Sequence, residues 1–204
     1  MTLRTGFLLF NDAEELDFAG PWEVFTMANE VAGYSGGEKP FETLMIAEKN
    51  EPVLCRKGMR VLPDATIDSC GKLDILLIPG GQGTRTEVKN EKLLAWIART
   101  SADCAWITSV CTGALLLTAA GPASGKRVTT HWGFIDQLRA RNEAAEVLEK
   151  VRYVRDGNVV TAAGVSAGID MALWLVGQIK SPEFARNVQR FMEYDPAPPY
   201  AAAV

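Results

Sequence analysis

The sequence predicts an α/β fold with a mainly parallel central sheet flanked by helices. Two patterns carry this. Apolar runs at 5–10, 72–78 and 105–110 show no alternation of period two, so they read as strands buried on both faces, as central parallel strands are. Between them stand segments with helical periodicity, long enough to serve as crossovers between parallel strands. With 204 residues, 48% of them hydrophobic, the chain has material for one large core, and one domain over 1–204 is expected.

Thr5 to Phe10 form the first strand, and the acidic stretch from Asn11 to Asp17 follows it. Pro21 is expected to open a helix at its first position, with Trp22 to Val31 as its body. A glycine-rich loop (33–40) leads to a second strand, Phe41 to Ala47. Pro52 and Gly58 mark 51–61 as a short hairpin. The strand 72–78 ends in Pro79-Gly80-Gly81-Gln82-Gly83. Asn90 caps a helix to Arg99, the strand 105–110 follows, and Gly121 closes the uncharged helix after it. Trp132 to Arg141 read as a helix, and 151–155 and 158–162 as strands joined at Asp156-Gly157. A helix beginning near Gly164 is apolar around most of its circumference, which predicts burial in the core or in a dimer interface. Ser181 and Pro182 open a last helix to Phe191, and an extended proline-rich tail follows from Asp195 to Tyr200.

The chemistry points to Ser109-Val110-Cys111-Thr112-Gly113, where a β-branched strand turns sharply into a Leu/Ala helix. Such an elbow exposes the side chain at its tip, and the helix start offers N–H groups that favour a thiolate. Cys111 is therefore the candidate nucleophile, against the alternative of a small buried packing residue. Asp17 lies between Leu16 and Phe18, a setting that raises a carboxyl pKa, yet a helix cap needs the same residue type there; both readings stand. Gly80 and Gly81, at the end of a strand expected beside that of Cys111, are candidate oxyanion-hole donors. His131 is the one histidine, open either as a base or as a hydrogen-bonded structural residue.

Composition excludes several classes. A net charge of −4 with scattered Lys and Arg argues against nucleic acid as a partner. No apolar run approaches the roughly 20 residues a membrane span needs, and no secretory leader is evident, so a cytoplasmic protein with no membrane partner is expected. Cys55, Cys70, Cys104 and Cys111 form no CxxC pair and only one histidine is present, which predicts reduced thiols and no metal. Cys55 and Cys104 read as packing residues and Cys70 as partly exposed.

Ile78-Pro79-Gly80-Gly81, Ser109 to Gly113 and Thr129-Thr130-His131-Trp132 resemble the DJ-1/PfpI superfamily. Leu16 to Pro21, Arg155 to Asn158, Ser166 to Asp170 and Tyr194 to Pro199 are similar to its isocyanide hydratases. The resemblance implies a flavodoxin-like three-layer sandwich, a homodimer, Cys111 as nucleophile and Thr112 as a contact to the substrate's polar end. Asp17 stands where many superfamily members use Glu, in the isocyanide hydratase pattern, and His131 matches a motif position without a secure catalytic role. The implied activity is hydration of a small-molecule isocyanide to an N-substituted formamide, with no cofactor. The alternatives are a redox or stress-protective cysteine protein, or a glyoxalase, deglycase or peptidase using the same thiol.

Overall fold

The computed structural model of the chain describes residues 2–196. In chain order these comprise β1 (Leu3–Leu9), α1 (Glu15–Tyr34), β2 (Phe41–Ala47), β3 (Val53–Leu54), β4 (Arg60–Val61), β5 (Ala65–Thr66), β6 (Ile75–Ile78), α2 (Thr84–Glu87), α3 (Glu91–Asp103), β7 (Trp106–Val110) and α4 (Gly113–Ala120). There follow β8 (Arg127–Val128), a 3-10 turn (Trp132–Phe134), α5 (Ile135–Ala140), β9 (Glu146–Val147), β10 (Tyr153–Asp156), β11 (Val159–Ala162), α6 (Ala167–Ile179) and α7 (Pro182–Phe191). One seven-stranded sheet runs β10-β11-β7-β6-β1-β2-β5, parallel throughout except for the β10–β11 hairpin. One helical layer holds α1, α6 and α7, and another holds α2, α3 and α4, which gives three layers in all.

The central strands form where expected because β6 and β1 offer apolar side chains to both helical layers, and Phe7, Leu8, Leu76 and Ile78 are fully buried. On one face the rings of Phe7, Phe25 and Phe41 meet edge to face, with centroids 6.0 and 4.8 Å from Phe25, tying α1 to β1 and β2. Two helix starts follow the sequence rules: the Asn90 side chain accepts the Leu93 N–H, and that of Ser181 accepts the Phe184 N–H.

Several expectations are corrected. Pro21 lies inside α1, which starts at Glu15; the cost is one backbone bond to Asp17, and the ring is used to pack α1 against Gly168 of α6. The segment after His131 makes a 3-10 turn before a short α-helix. Cys70 is buried at 3% exposure, its sulfur against the carbonyls of Ile67 and Gly71. Helix α6 packs on α1, α7 and the sheet, which bury Ala167, Met171, Ala172, Leu175 and Val176, while Ile169, Leu173, Trp174 and Ile179 stay half-buried. The tail beyond Pro196 lies outside the described residues. Among these, no helix is long and apolar enough to cross a membrane.

Phe25→Ala should lower stability by about 3–5 kcal/mol, since it empties the centre of the aromatic cluster. Urea unfolding should report a lower midpoint at unchanged slope.

Candidate active site

Strand order decides where the site lies. From β1 the chain moves to one side through β2 and β5, then crosses back to β6 on the other, and the carboxyl ends at this reversal hold three connections side by side. The first carries Asp17 in the opening turn of α1, the second carries Gly80 and Gly81, and the third carries Cys111.

Cys111 sits at φ +55°, the left-handed region, between the end of β7 and the start of α4. A non-glycine residue there costs about 1–3 kcal/mol and persists only when its surroundings fix it. They do: the Cys111 N–H donates to the Ala162 carbonyl (3.2 Å), and the Thr130 hydroxyl donates to the Cys111 carbonyl (2.8 Å). Beneath the elbow there is no room for larger residues. A Cβ on Gly113 would fall 2.3 Å from the Ile78 carbonyl oxygen, and one on Gly80 would fall 2.5 Å from the Thr112 nitrogen and 2.8 Å from the Cys111 Cβ.

Gly80 also joins the elbow to Asp17, because its N–H donates to Asp17 Oδ2 at 2.8 Å. Asp17 is fully buried, and its Oδ1 has no hydrogen-bond partner among the described residues. Burial pushes its carboxyl up to about 7; the Gly80 N–H opposes this, the Glu14 charge adds to it, and the nearby Val165 N–H and Lys57 charge oppose it more weakly. A helix-cap role is thereby removed, for Asp17 accepts from another connection and not from its own helix.

The Cys111 thiol is 7% exposed, and burial pushes it up to about 12, assisted by the Asp17 and Glu14 charges and opposed by the Thr112 N–H and hydroxyl. The start of α4 and the Thr112 donors favour the anion, while burial and the Asp17 and Glu14 charges oppose it. The other three thiols are also raised by burial.

The two glycines do not present free donors to a substrate. The Gly80 N–H is taken by Asp17, and that of Gly81 donates to Thr112 Oγ1 at 3.0 Å, so both act as internal struts. His131 accepts the Gly133 N–H on Nδ1 at 3.2 Å and packs its ring against Gly164; its hydrogen bond is to neither Asp17 nor Cys111. A hollow of about 340 Å³ opens beside the elbow, lined by Thr130, His131, Trp132, Lys150, Arg152 and Val165 among others. A smaller one of about 50 Å³ lies between Arg85, Thr112 and Phe134. A larger cavity of about 370 Å³, at the ends of β1 and β2, touches none of the candidate residues. Among the described residues no cluster of His, Cys, Asp and Glu is arranged to hold a metal.

Three contributors gave no signal in the sequence. Val165, at φ +48°, sets its N–H toward Asp17 just before α6. Thr84 and Arg85 reach Thr112 from α2, and nothing in Gly83-Thr84-Arg85 separates them from an ordinary turn.

Residues 4–178 match the DJ-1/PfpI family. The chain belongs to this family. An isonitrile (isocyanide) hydratase of Pseudomonas putida is 37% identical over 200 residues, covering 98% of this chain and 82% of that protein. The crystal structure of a ThiJ/PfpI family protein from Pseudomonas syringae superposes with a TM-score of 0.87 at 31% identity, covering all of this chain and 80% of that one. Drosophila melanogaster DJ-1beta shares the fold, with a TM-score of 0.81 at 21% identity over 96% of this chain and all of the other.

The raised Asp17 carboxyl has a stability consequence. The unfolded chain ionises Asp17 near 3.8 and the folded chain near 7, so between those values the folded state holds the extra proton. The contribution is therefore most favourable below about pH 4 and declines until about pH 7. Wild-type protein should lose on the order of 2–3 kcal/mol at this group between pH 5 and pH 8. Asp17→Asn should lose none of it, so the difference in Tm between variant and wild type should grow in the variant's favour from pH 5 to pH 8.

Proposed function

We propose that this protein is an isocyanide hydratase, converting an isocyanide and water to an N-substituted formamide. The observation that carries the reading is the pairing of two acids, a Cys111 thiol and an Asp17 carboxyl, both biased by burial toward their protonated forms and both braced on Gly80. The identity to the Pseudomonas putida isonitrile hydratase supports the same choice.

An isocyanide's terminal carbon carries a lone pair and also accepts a nucleophile, so it can take up both parts of an S–H bond. Cys111 Sγ forms the S–C bond as its proton leaves, and Asp17 delivers a proton to the same carbon through Oδ1 and regains one from the thiol. The product is a neutral thioimidate, R–N=CH–S–Cys. No separated charge need be stabilised in the buried site, which suits a thiol raised to about 12. Asp17 then gives its proton to the thioimidate nitrogen and takes one from water as the water oxygen adds to the carbon, giving R–NH–CH(OH)–S–Cys. The C–S bond breaks as the C=O bond forms, the hydroxyl proton passes by way of Asp17 to the departing sulfur, and the formamide leaves with the thiol restored. The Thr112 N–H and hydroxyl, which reach Cys111, ease the moment at which the sulfur carries negative charge. In this reading Gly80 and Gly81 position Asp17 and Thr112, and His131 lines the substrate's approach. No cofactor enters the scheme.

A redox-sensing role calls for an accessible, low-pKa thiolate, and burial moves Cys111 the other way. A homodimer belongs to the proposal too. Exposed Leu54, Met59 and Leu62 on the β3–β4 hairpin, with Leu16 at the start of α1, are apolar surface that such a dimer would cover.

Wild-type protein, kept reduced, should form many equivalents of formamide from a panel of aryl and alkyl isocyanides, followed by liquid chromatography. Cys111→Ala should fall to the uncatalysed rate, and Asp17→Asn should lower kcat by about 10²–10⁴. Absence of formamide from every isocyanide tested, with the Cys111 thiol verified as free, would sink the proposal.

A further inference from the structure

We propose that Arg85 is a positioning residue that acts through Thr84 and Thr112 to aim a hydrogen bond at the Cys111 sulfur. The proposal rests on Cys111 being the reactive thiol, and it holds whatever the electrophile is.

Around Gly81 the hydrogens available to donate and the lone pairs able to accept fix one another. Arg85 can only donate, and its guanidinium is held 4.1 Å from the centre of the Phe134 ring. Nη1 carries two hydrogens, and of the three acceptors near it the Gly81 carbonyl oxygen (2.7 Å) and Thr84 Oγ1 (2.9 Å) are nearer than Thr112 Oγ1 (3.3 Å) and take them. The Gly81 carbonyl also takes the Thr84 backbone N–H (3.3 Å), which fills both of its lone pairs. The Thr84 hydroxyl, already receiving from Arg85, has two acceptors within reach, the Gly81 carbonyl at 2.9 Å and Thr112 Oγ1 at 3.2 Å. With the carbonyl filled, its hydrogen goes to Thr112.

Thr112 Oγ1 receives the Gly81 N–H (3.0 Å) and the Thr84 hydroxyl, so its own single hydrogen must leave toward a third atom. The Gly81 carbonyl is 3.2 Å away but occupied, which leaves the sulfur of the adjacent Cys111, whose ionised form the Thr112 hydroxyl favours, as the acceptor the proposal assigns to it. Arg85, having no acceptor of its own, fixes the direction of the whole chain, from Nη1 to Thr84, to Thr112, to Sγ. Thr84 is fully buried, so no water competes for its hydroxyl. The guanidinium also brings a positive charge to the sulfur's side of the site; the two groups interact favourably when Cys111 is ionised.

If Arg85 merely staples the turn at Gly81, its loss lowers stability and leaves the sulfur's chemistry unchanged. The test is therefore the rate of Cys111 alkylation by iodoacetamide as a function of pH, read by peptide mass mapping, with Tm measured alongside. Arg85→Met and Thr84→Val should each displace the line of log rate against pH by about one unit toward higher pH, so that labelling is roughly tenfold slower at any given pH. The double variant should be no slower than the slower single one, within about twofold, because both changes cut one chain. Thr84→Ser, which keeps the hydroxyl, should label at the wild-type rate. Wild-type labelling in folded Arg85→Met or Thr84→Val overturns the proposal, and so do effects that multiply in the double variant. Should Arg85→Met not fold, the nearly isosteric Thr84→Val decides alone. Because no isocyanide is used, failure of the hydratase reading and failure of this one are separate results.

Discussion

The contact on which the site depends is that between the turn leaving β6 and the elbow leaving β7. The two strands are parallel neighbours, with Ile78 opposite Ser109, so their carboxyl-terminal turns emerge side by side. Gly80 and Gly113 let backbone meet backbone there at distances that would be closed to any side chain. From this contact follow the rest of the arrangements: the Gly80 N–H is aimed at Asp17, that of Gly81 at Thr112, and Cys111 is lifted into a left-handed conformation between them. The stretch Asn11 to Glu15 is fastened on the same turn, through a bridge from Ala13 to Gly81 and the Glu14 N–H donating to the Gly80 carbonyl. The β3–β4 hairpin holds it from the other side, with the Arg56 N–H on the Ala13 carbonyl and the Lys57 N–H on Glu15.

Electrostatically, the site is built to avoid charge. Burial works against ionisation of both Asp17 and Cys111, and the Asp17 and Glu14 charges make ionisation of Cys111 harder still. A site of this kind is poor at waiting as an anion and well suited to moving protons in step with bond formation. An electrophile that accepts a nucleophile and a proton at one atom matches it better than one that needs a standing thiolate.

Much of the fold was legible in the sequence, because strands buried on both faces leave uninterrupted apolar runs and because Asn90, Ser181-Pro182 and Asp156-Gly157 announce their caps and turn. The two-residue strands β5, β8 and β9 were not, since a pair of residues has no period to detect. Pro21 misled for a physical reason: its value as a packing surface against Gly168 outweighs one lost backbone bond, and that partner lies 147 positions later in the chain. Within the site, Cys111 stood out because the composition switches from strand to helix across it. The direction in which Gly80 and Gly81 point their N–H groups, the charge state of the thiol, and the reach of Arg85 depend on how separate turns close upon one another. No local pattern encodes those.

The pin on Cys111 from the Ala162 carbonyl has a consequence for biosynthesis. The left-handed backbone at residue 111 requires β11, and β11 is among the last strands to be made. It follows that a nascent chain carries Cys111 as an ordinary cysteine until some fifty further residues have emerged and the β7–β11 ladder has zipped. The proposed nucleophile thus acquires its conformation as a late product of folding, and a chain arrested or truncated before that ladder closes has the residue without its setting.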